Sequence, residues 1–393
     1  MDTYVRVAPS RKLHRVLKDP HPHIVVESRK ELHGWYPGRR ECTGERMLIN
    51  PYNGCRNDCF CCYAKALPGY FQLFRKKGVV TVFRDFDRSI STQLDSLNVA
   101  SCGYLSPVTD PFQSINAAYG LSERIIRVFV ERNVPIEFIT KCRVPDQVLE
   151  LMEGQHHSFC QFSLFTDREE LRQALMKEGA TTDELFWEMA RCRRVGLPVV
   201  CRIDPIVPGV TDAKRDLERI VRRAQGSGAH HVIASVMDVP LQIKGDIFGH
   251  LRRMFGHGLG YDLERLYVEK IGGSLHARID YRKRLFDFLR NCCERIGTGF
   301  ALCMEYELVE GMPVGLNGEF MNTHNCEGID IPVYVREDSI FKPAADCQGA
   351  CLHCNRPDCG IDDLAMASSP DKKKSFSLGD YRRWSRELAA LDC

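Results

Sequence analysis

No apolar run in this 393-residue chain approaches the roughly 20 residues that span a bilayer. The first residues, MDTYVRVAPSRKLHRVLKD, also lack the apolar core of a secretory signal. These two lacks argue against a membrane partner and for a cytoplasmic protein. Charge imbalance is missing as well: the formal net charge is +2, so the chain as a whole carries no electrostatic footprint for nucleic acid, though a local basic groove stays compatible. Internal repeats and extended low-complexity segments are absent, so no repeat architecture is expected.

Cysteine, by contrast, is plentiful, at 19 residues. In a small secreted protein that count would signal disulfides; here, metal-bound thiolates in a reducing compartment are the consistent reading. With 44% hydrophobic residues, the chain can bury one large core and carry an appended domain. The first 49 residues are more basic, with ten Lys/Arg (among them Arg11, Lys12, Arg15, Arg39 and Arg40) against six Asp/Glu. A solvated surface arm is the plain explanation, and a phosphate-contacting arm the sharper one.

The densest chemistry lies in NPYNGCRNDCFCCYA, Asn50 to Ala64. Cys55, Cys59 and Cys62 stand at C-x3-C-x2-C after the short apolar run Met47-Leu48-Ile49. Three thiolates can hold three irons of a [4Fe–4S] cube and leave the fourth iron open. A zinc site with a distant fourth ligand is the bland alternative. Cys61 is surplus to the spacing. The motif resembles the radical S-adenosylmethionine signature, including Phe60 two residues before Cys62. The Asn-Pro-Tyr-x-Gly-Cys entry and Cys-Tyr-Ala exit resemble the spore photoproduct lyase-like branch, often described as DNA repair photolyase-like. That resemblance implies an S-adenosylmethionine-binding cluster, a 5′-deoxyadenosyl radical, and a reductant such as flavodoxin or ferredoxin.

Apolar runs recur at Met47–Pro51, Val79–Phe86, Ala100–Leu105, Ile136–Thr140, Phe159–Phe165, Val199–Val207 and His231–Val236. Helical patterns fall between them, at Leu121–Arg132, Thr181–Val195 and Thr211–Ala224. Strand–helix alternation predicts an α/β fold with a parallel sheet. About six units suit the partial (β/α)6 barrel that the resemblance implies, with the site at the C-terminal strand ends. The expected organisation is an N-terminal basic segment over residues 1–44, a barrel over 45–240, and a C-terminal region over 241–393. That last region contains a helix at Arg278–Gly297, short strands and loops over 300–345, a charged loop at Ser368–Ser377, and a final helix at Leu378–Leu391.

Several residues at expected strand ends become candidates. Thr109 and Asp110, in SPVTDPFQ, match the Ser/Thr-Asp pair that lies near the cofactor in the lyase-like branch; an Asx turn before the next helix accounts for them equally. Lys141, at the tip of FITK, is placed to meet the cofactor carboxylate. Ser163 follows on the next strand, and Tyr63, in the motif exit, joins the cofactor-binding set by resemblance. Arg202 and Asp204 alternate onto one strand face, where an inward arginine needs a partner: Asp204, the cofactor or a substrate anion. The lyase branch aligns its hydrogen-donating cysteine with Pro107 of this chain. Cys102 and Cys142 are then the candidate catalytic substitutes, and true photoproduct reversal is called into question.

Cys347, Cys351, Cys354 and Cys359 read C-x3-C-x2-C-x4-C. They suit a second [4Fe–4S] cluster or a tetrahedral zinc site, with Cys303 or Cys326 as alternative fourth ligands and His353 as a neighbour. The whole reads as a radical enzyme that abstracts a hydrogen from a nucleic acid, peptide or metabolite. Its rival is a non-catalytic zinc-binding nucleic-acid-binding protein.

Overall fold

The computed structural model describes residues 3–7, 12–35, 44–367 and 376–385. Its central sheet has seven strands: β1 (Met47–Ile49), β2 (Gly103–Leu105), β3 (Ile136–Thr140), β4 (Phe159–Leu164), β5 (Val199–Ile206), β6 (Ala229–Val236) and β7 (Gly299–Leu302). Every strand pairs in parallel with its sequence neighbour, so the sheet order is the chain order. Parallel neighbours require crossovers. Helices in these include α1 (Leu121–Val130), α2 (Asp146–Met152), α3 (Thr182–Arg194), α4 (Lys214–Gly226) and α5 (Ile279–Ile296). The α/β class is borne out. The sheet has seven strands rather than six, and β7 lies well past residue 240, where the barrel was expected to end.

Two apolar runs go elsewhere. Val80–Arg84 is a strand, but it pairs with His23–Glu27 and Tyr52–Asn53 outside the central sheet. The Ala100–Leu105 run is divided: Val99–Ala100 pairs with Tyr334–Glu337 of the C-terminal region, and only Gly103–Leu105 joins the central sheet. Both runs are buried and apolar, and that pattern alone does not say which sheet a strand enters. The N-terminal segment holds strands at Thr3–Arg6, Leu13–Val16 and His23–Glu27, too short to show a period. Arg11, Arg39 and Arg40 lie outside the described residues.

Helix starts follow local hydrogen bonding. Thr181 caps α3 through a reciprocal capping box with Glu184, as the Thr-Thr-Asp-Glu pattern predicts. Thr211 does not start α4; its hydroxyl accepts from the Val207 N–H at 2.8 Å, and the helix begins at Lys214. The last helix covers only Leu378–Arg383, and residues 368–375 and 386–393 are outside the described set. Among the described residues no helix is long and apolar enough to cross a membrane.

One sheet face carries Phe159, Gln161 and Ser163 on β4 and Val200, Arg202 and Asp204 on β5, by the two-residue strand period. Phe159 and Val200 join Cys102, Ile233 and Ile331 in a small apolar cluster. A polar ladder crosses the same face. Arg46 meets Glu327 at 2.7 Å and Glu45 at 3.1 Å, and its Nε lies 3.6 Å from Glu137. Gln161 donates to Glu137, and its carbonyl accepts from Arg202 at 3.0 Å.

His231 on β6 shows how tightly the sheet edge is packed. A Cβ on Gly299 or on Gly328 would come 2.4 Å from its ring. Its Nε2 donates to the Cys326 carbonyl at 3.1 Å, and burial drives the imidazole pKa down to about 3. The unfolded chain therefore binds an extra proton between about pH 3 and 6.5, so stability falls on acidification through that window. Between pH 6.5 and 5 this single group should cost about 2 kcal/mol. Urea titrations at both pH values should show the loss in the wild type and a smaller one in His231→Gln; equal losses would refute the assignment.

Candidate active site

At the end of β1 the chain turns directly into the cysteine loop. Gly54 precedes Cys55 with φ +89°, and a Cβ there would lie 2.7 Å from the Phe74 side chain. That explains the glycine in the entry motif. Gln113 holds the turn from the other side, donating to the Gly54 carbonyl at 3.2 Å and accepting from the Arg56 N–H at 3.0 Å. Lys65 donates to the Cys59 carbonyl at 2.7 Å and pairs with Asp58 at 2.7 Å.

Cys55, Cys59 and Cys62 are half-buried, unpaired in any disulfide, and line one small cavity with Gly54, Lys65 and Val108. Burial raises all three thiol pKa values, that of Cys59 to about 12 even though Lys141 pulls the other way. Such thiolates need a cationic partner. Among the described residues no three His, Cys, Asp or Glu side chains converge closely enough to hold a single metal ion. A cube, which takes each thiolate at a different iron, asks for sulfurs that stand apart rather than converge. Two hydroxyls at the next strand end fit a bound group as well. Ser106 Oγ and Thr109 Oγ1 are buried without a hydrogen-bond partner, and an unmet buried hydroxyl is costly.

The Asp110 carboxylate is engaged by the protein itself. It accepts from Asn57 Nδ2 (2.9 Å), the Phe112 N–H (3.0 Å), Thr140 Oγ1 (2.8 Å) and the Lys141 N–H (2.7 Å). All four donors are protein groups, so Asp110 ties the cysteine loop to the ends of β2 and β3. The Phe112 bond is the Asx turn that Asp-Pro sequences favour. Asn57, invisible as a motif residue, completes the clamp and accepts from Cys142 Sγ at 3.4 Å.

The other candidates divide by strand end. Lys141 and Ser163 meet one another: Lys141 Nζ donates to Ser163 Oγ and lies 3.4 Å from the Asp204 carbonyl and 4.8 Å from the Phe165 ring centre. Arg202 is 6% exposed, and protein groups take up its guanidinium: Asp204 at 2.6 Å, Gln161 at 3.0 Å and Cys303 Sγ at 2.8 Å. The Arg202–Asp204 pair was the cautious reading, and it holds. Burial works to raise the Asp204 carboxyl, but Arg202 and Ser235 hold its pKa below the usual range. Tyr63 is 44% exposed and donates to the Pro107 carbonyl at 2.8 Å. Cys142 is buried beside the cysteine loop. Cys102 sits just before β2, at the N-terminal end of the strand and beside Arg46, so it lies opposite the cysteine loop.

The second cysteine set packs at that opposite end too. The thiols of Cys347 and Cys351 feel one another and Glu45, and Cys359 feels Cys347 and Cys354. Gly349 approaches so closely that a Cβ would lie 2.1 Å from the Ile331 carbonyl. Cys303, weighed as an alternative ligand there, instead stands at the end of β7 against Arg202. Nothing in its sequence context marks that position; only sheet closure does.

The Asp110 clamp has a measurable consequence. Asp110→Ala frees four donors, at about 1.5–3 kcal/mol for each bond to a charged group. After anaerobic reconstitution this variant should hold well under half the wild-type iron and sulfide of the first cluster, by chemical assay. Full loading would show that the clamp is dispensable.

No protein-family model matches the chain. A curated protein of Pseudomonas phage M6, named radical SAM Nα-GlyT isomerase, is 26% identical over 382 residues, covering 90% of this chain and 78% of its own. Among solved structures, a spore photoproduct lyase variant superposes with TM-score 0.56 at 15% identity, covering 71% of this chain and 81% of that one. The same lyase complexed with dinucleoside spore photoproduct gives 0.54 at 14% identity over the same shares. The resemblance carried by the cysteine loop thus extends over most of the chain, which is similar in sequence to a radical S-adenosylmethionine isomerase and in fold to spore photoproduct lyase.

Proposed function

We propose that this enzyme forms a substrate radical at the barrel mouth and rearranges it, rather than cleaving a thymine lesion. When bound, a [4Fe–4S] cluster and S-adenosylmethionine supply the 5′-deoxyadenosyl radical that takes the substrate hydrogen. Cys55, Cys59 and Cys62 hold the cluster. Thr109 Oγ1 and Lys141 Nζ meet the polar end of the cofactor, with Ser163 orienting Lys141 and Tyr63 lying across the mouth. The observation that carries this reading is the buried, unpartnered Thr109 hydroxyl beside a cavity lined by three cysteines. Asp110 and Arg202 act on position, because their own bonds are already filled.

The reaction type rests on other grounds. The phage relative is named an isomerase. Pro107 occupies the place aligned with the lyase cysteine, and Cys102 is at the wrong end of its strand to stand in for it. Cys142, whose thiol donates to Asn57 of the loop, stands on the cysteine-loop side. A nucleic-acid base, a peptide side chain and a small metabolite each fit such a mouth, and a flavodoxin or ferredoxin fits the need for an electron. At the far end, Cys347, Cys351, Cys354 and Cys359 are assigned to a second iron–sulfur cluster.

Cys59→Ala should lower 5′-deoxyadenosine formation at least about a thousandfold, as loss of a group that acts as part of a unit does. Retained cleavage would sink the assignment. The reaction type is read by mass spectrometry: an isomerised substrate keeps its mass, whereas ultraviolet-irradiated DNA restored to two thymines would show the lyase reaction instead. Cys351→Ser should remove about four irons per chain while leaving cofactor cleavage measurable. Unchanged iron with loss of zinc would turn the second site into a zinc centre.

A further inference from the structure

A cavity of about 310 Å³ lies behind the cysteine loop. It shares none of its lining with the mouth residues Thr109, Lys141, Ser163 or Arg202, yet it shares Asp58, Lys65 and Phe74 with the cavity that the three cysteines line. The two spaces are therefore back to back across the loop. Phe60, next in sequence to Cys59, forms part of the wall and stacks on His250 at 4.9 Å and 22°. Four cations of the wall, Arg56, Lys65, Arg75 and Lys177, meet three carboxylates: Lys65 and Lys177 pair with Asp58, Arg75 with Asp246, and Arg56 with the adjoining Glu178. Lys76 and Lys77 extend the basic edge along the exposed end of the helix Tyr70–Lys77.

We propose that this basic cavity is the docking surface for the electron donor, a small acidic protein carrying a flavin or an iron–sulfur group. The inference rests on the assignment of the first cluster to Cys55, Cys59 and Cys62. One electron leaves the docked carrier, which is oxidised by one equivalent, and enters through the loop, while the substrate keeps the mouth to itself. Placing the two partners on different sides lets the donor bind without displacing substrate. Complementary charge gives such an encounter its rate and its salt dependence.

The test uses cluster-loaded protein and a bacterial flavodoxin. Binding of oxidised flavodoxin, followed by calorimetry, should weaken about tenfold in the double variant Arg75→Glu/Lys76→Glu and steepen less with falling salt. Cofactor cleavage driven by dithionite, which needs no docking, should be unchanged in that variant, while flavodoxin-driven cleavage falls. Lys77→Glu, away from the ion pairs of the loop, serves as a second variant should the first misfold, and should weaken binding in the same direction. Equal flavodoxin affinity in wild type and variants overturns the proposal. So does a loss confined to binding of a polyanion such as DNA, since the rim would then belong to a substrate. Failure of dithionite to drive cleavage in the wild type would instead strike the radical assignment, leaving the binding result to stand alone.

Discussion

One carboxylate positions the site. Asp110 accepts four hydrogen bonds from groups on three segments: the cysteine loop, the turn after β2 and the tip of β3. The barrel strands are held by their own ladders, but the cysteine loop is not part of any sheet and must be fixed from outside. A charged acceptor with all its lone pairs engaged does this better than apolar contact, because hydrogen bonds to a charged group are directional and about twice as strong as neutral ones. The same bonds set the backbone of Lys141, so the cation at the mouth and the three cysteines are aligned by a single residue.

Below the mouth, the interior face trades stability for polarity. Arg46, Glu137, Gln161 and Arg202 are almost wholly buried, and a buried ion pair gains little over an apolar filling of the same shape. Their linkage nevertheless leaves no long span of the face without a fixed dipole, from Arg46 before β1 to Asp204 near the end of β5. The second cysteine set lies at the Arg46 end, beside Glu45.

Much of this was legible because it depends on local pattern. The C-x3-C-x2-C spacing, the glycine before it, the capping box of α3 and the parallel strands β3 to β6 all follow from residues within a few positions of one another. What escaped depends on closure. Val80–Arg84 reads as a barrel strand until its partners are seen, and β7 falls beyond a stretch whose character had already changed. Asp110 reads as a cofactor contact from its Thr-Asp motif, and only the arrival of Asn57, Thr140 and Lys141 shows the protein groups that its carboxylate binds. Cys303 lies 101 residues from Arg202 in sequence and 2.8 Å from it in space.

The two cations of the mouth illustrate how charge decides function. Arg202 and Asp204 form a pair that is complete within the protein, with Ser235 also donating to Asp204 at 2.5 Å. An anionic ligand approaching Arg202 would have to displace a carboxylate already held in a buried fork, at a desolvation cost that its own charge could not offset. Lys141 donates to the Ser163 hydroxyl, lies near the Asp204 carbonyl and the Phe165 ring, and acts through its charge on the Asp204 carboxylate and on Cys59. A carboxylate brought beside Lys141 would add to these interactions. On the proposed reading the anionic end of a bound cofactor would lie at Lys141, beside Ser163, and Arg202, its bonds filled by Asp204, Gln161 and Cys303, would serve to position that place.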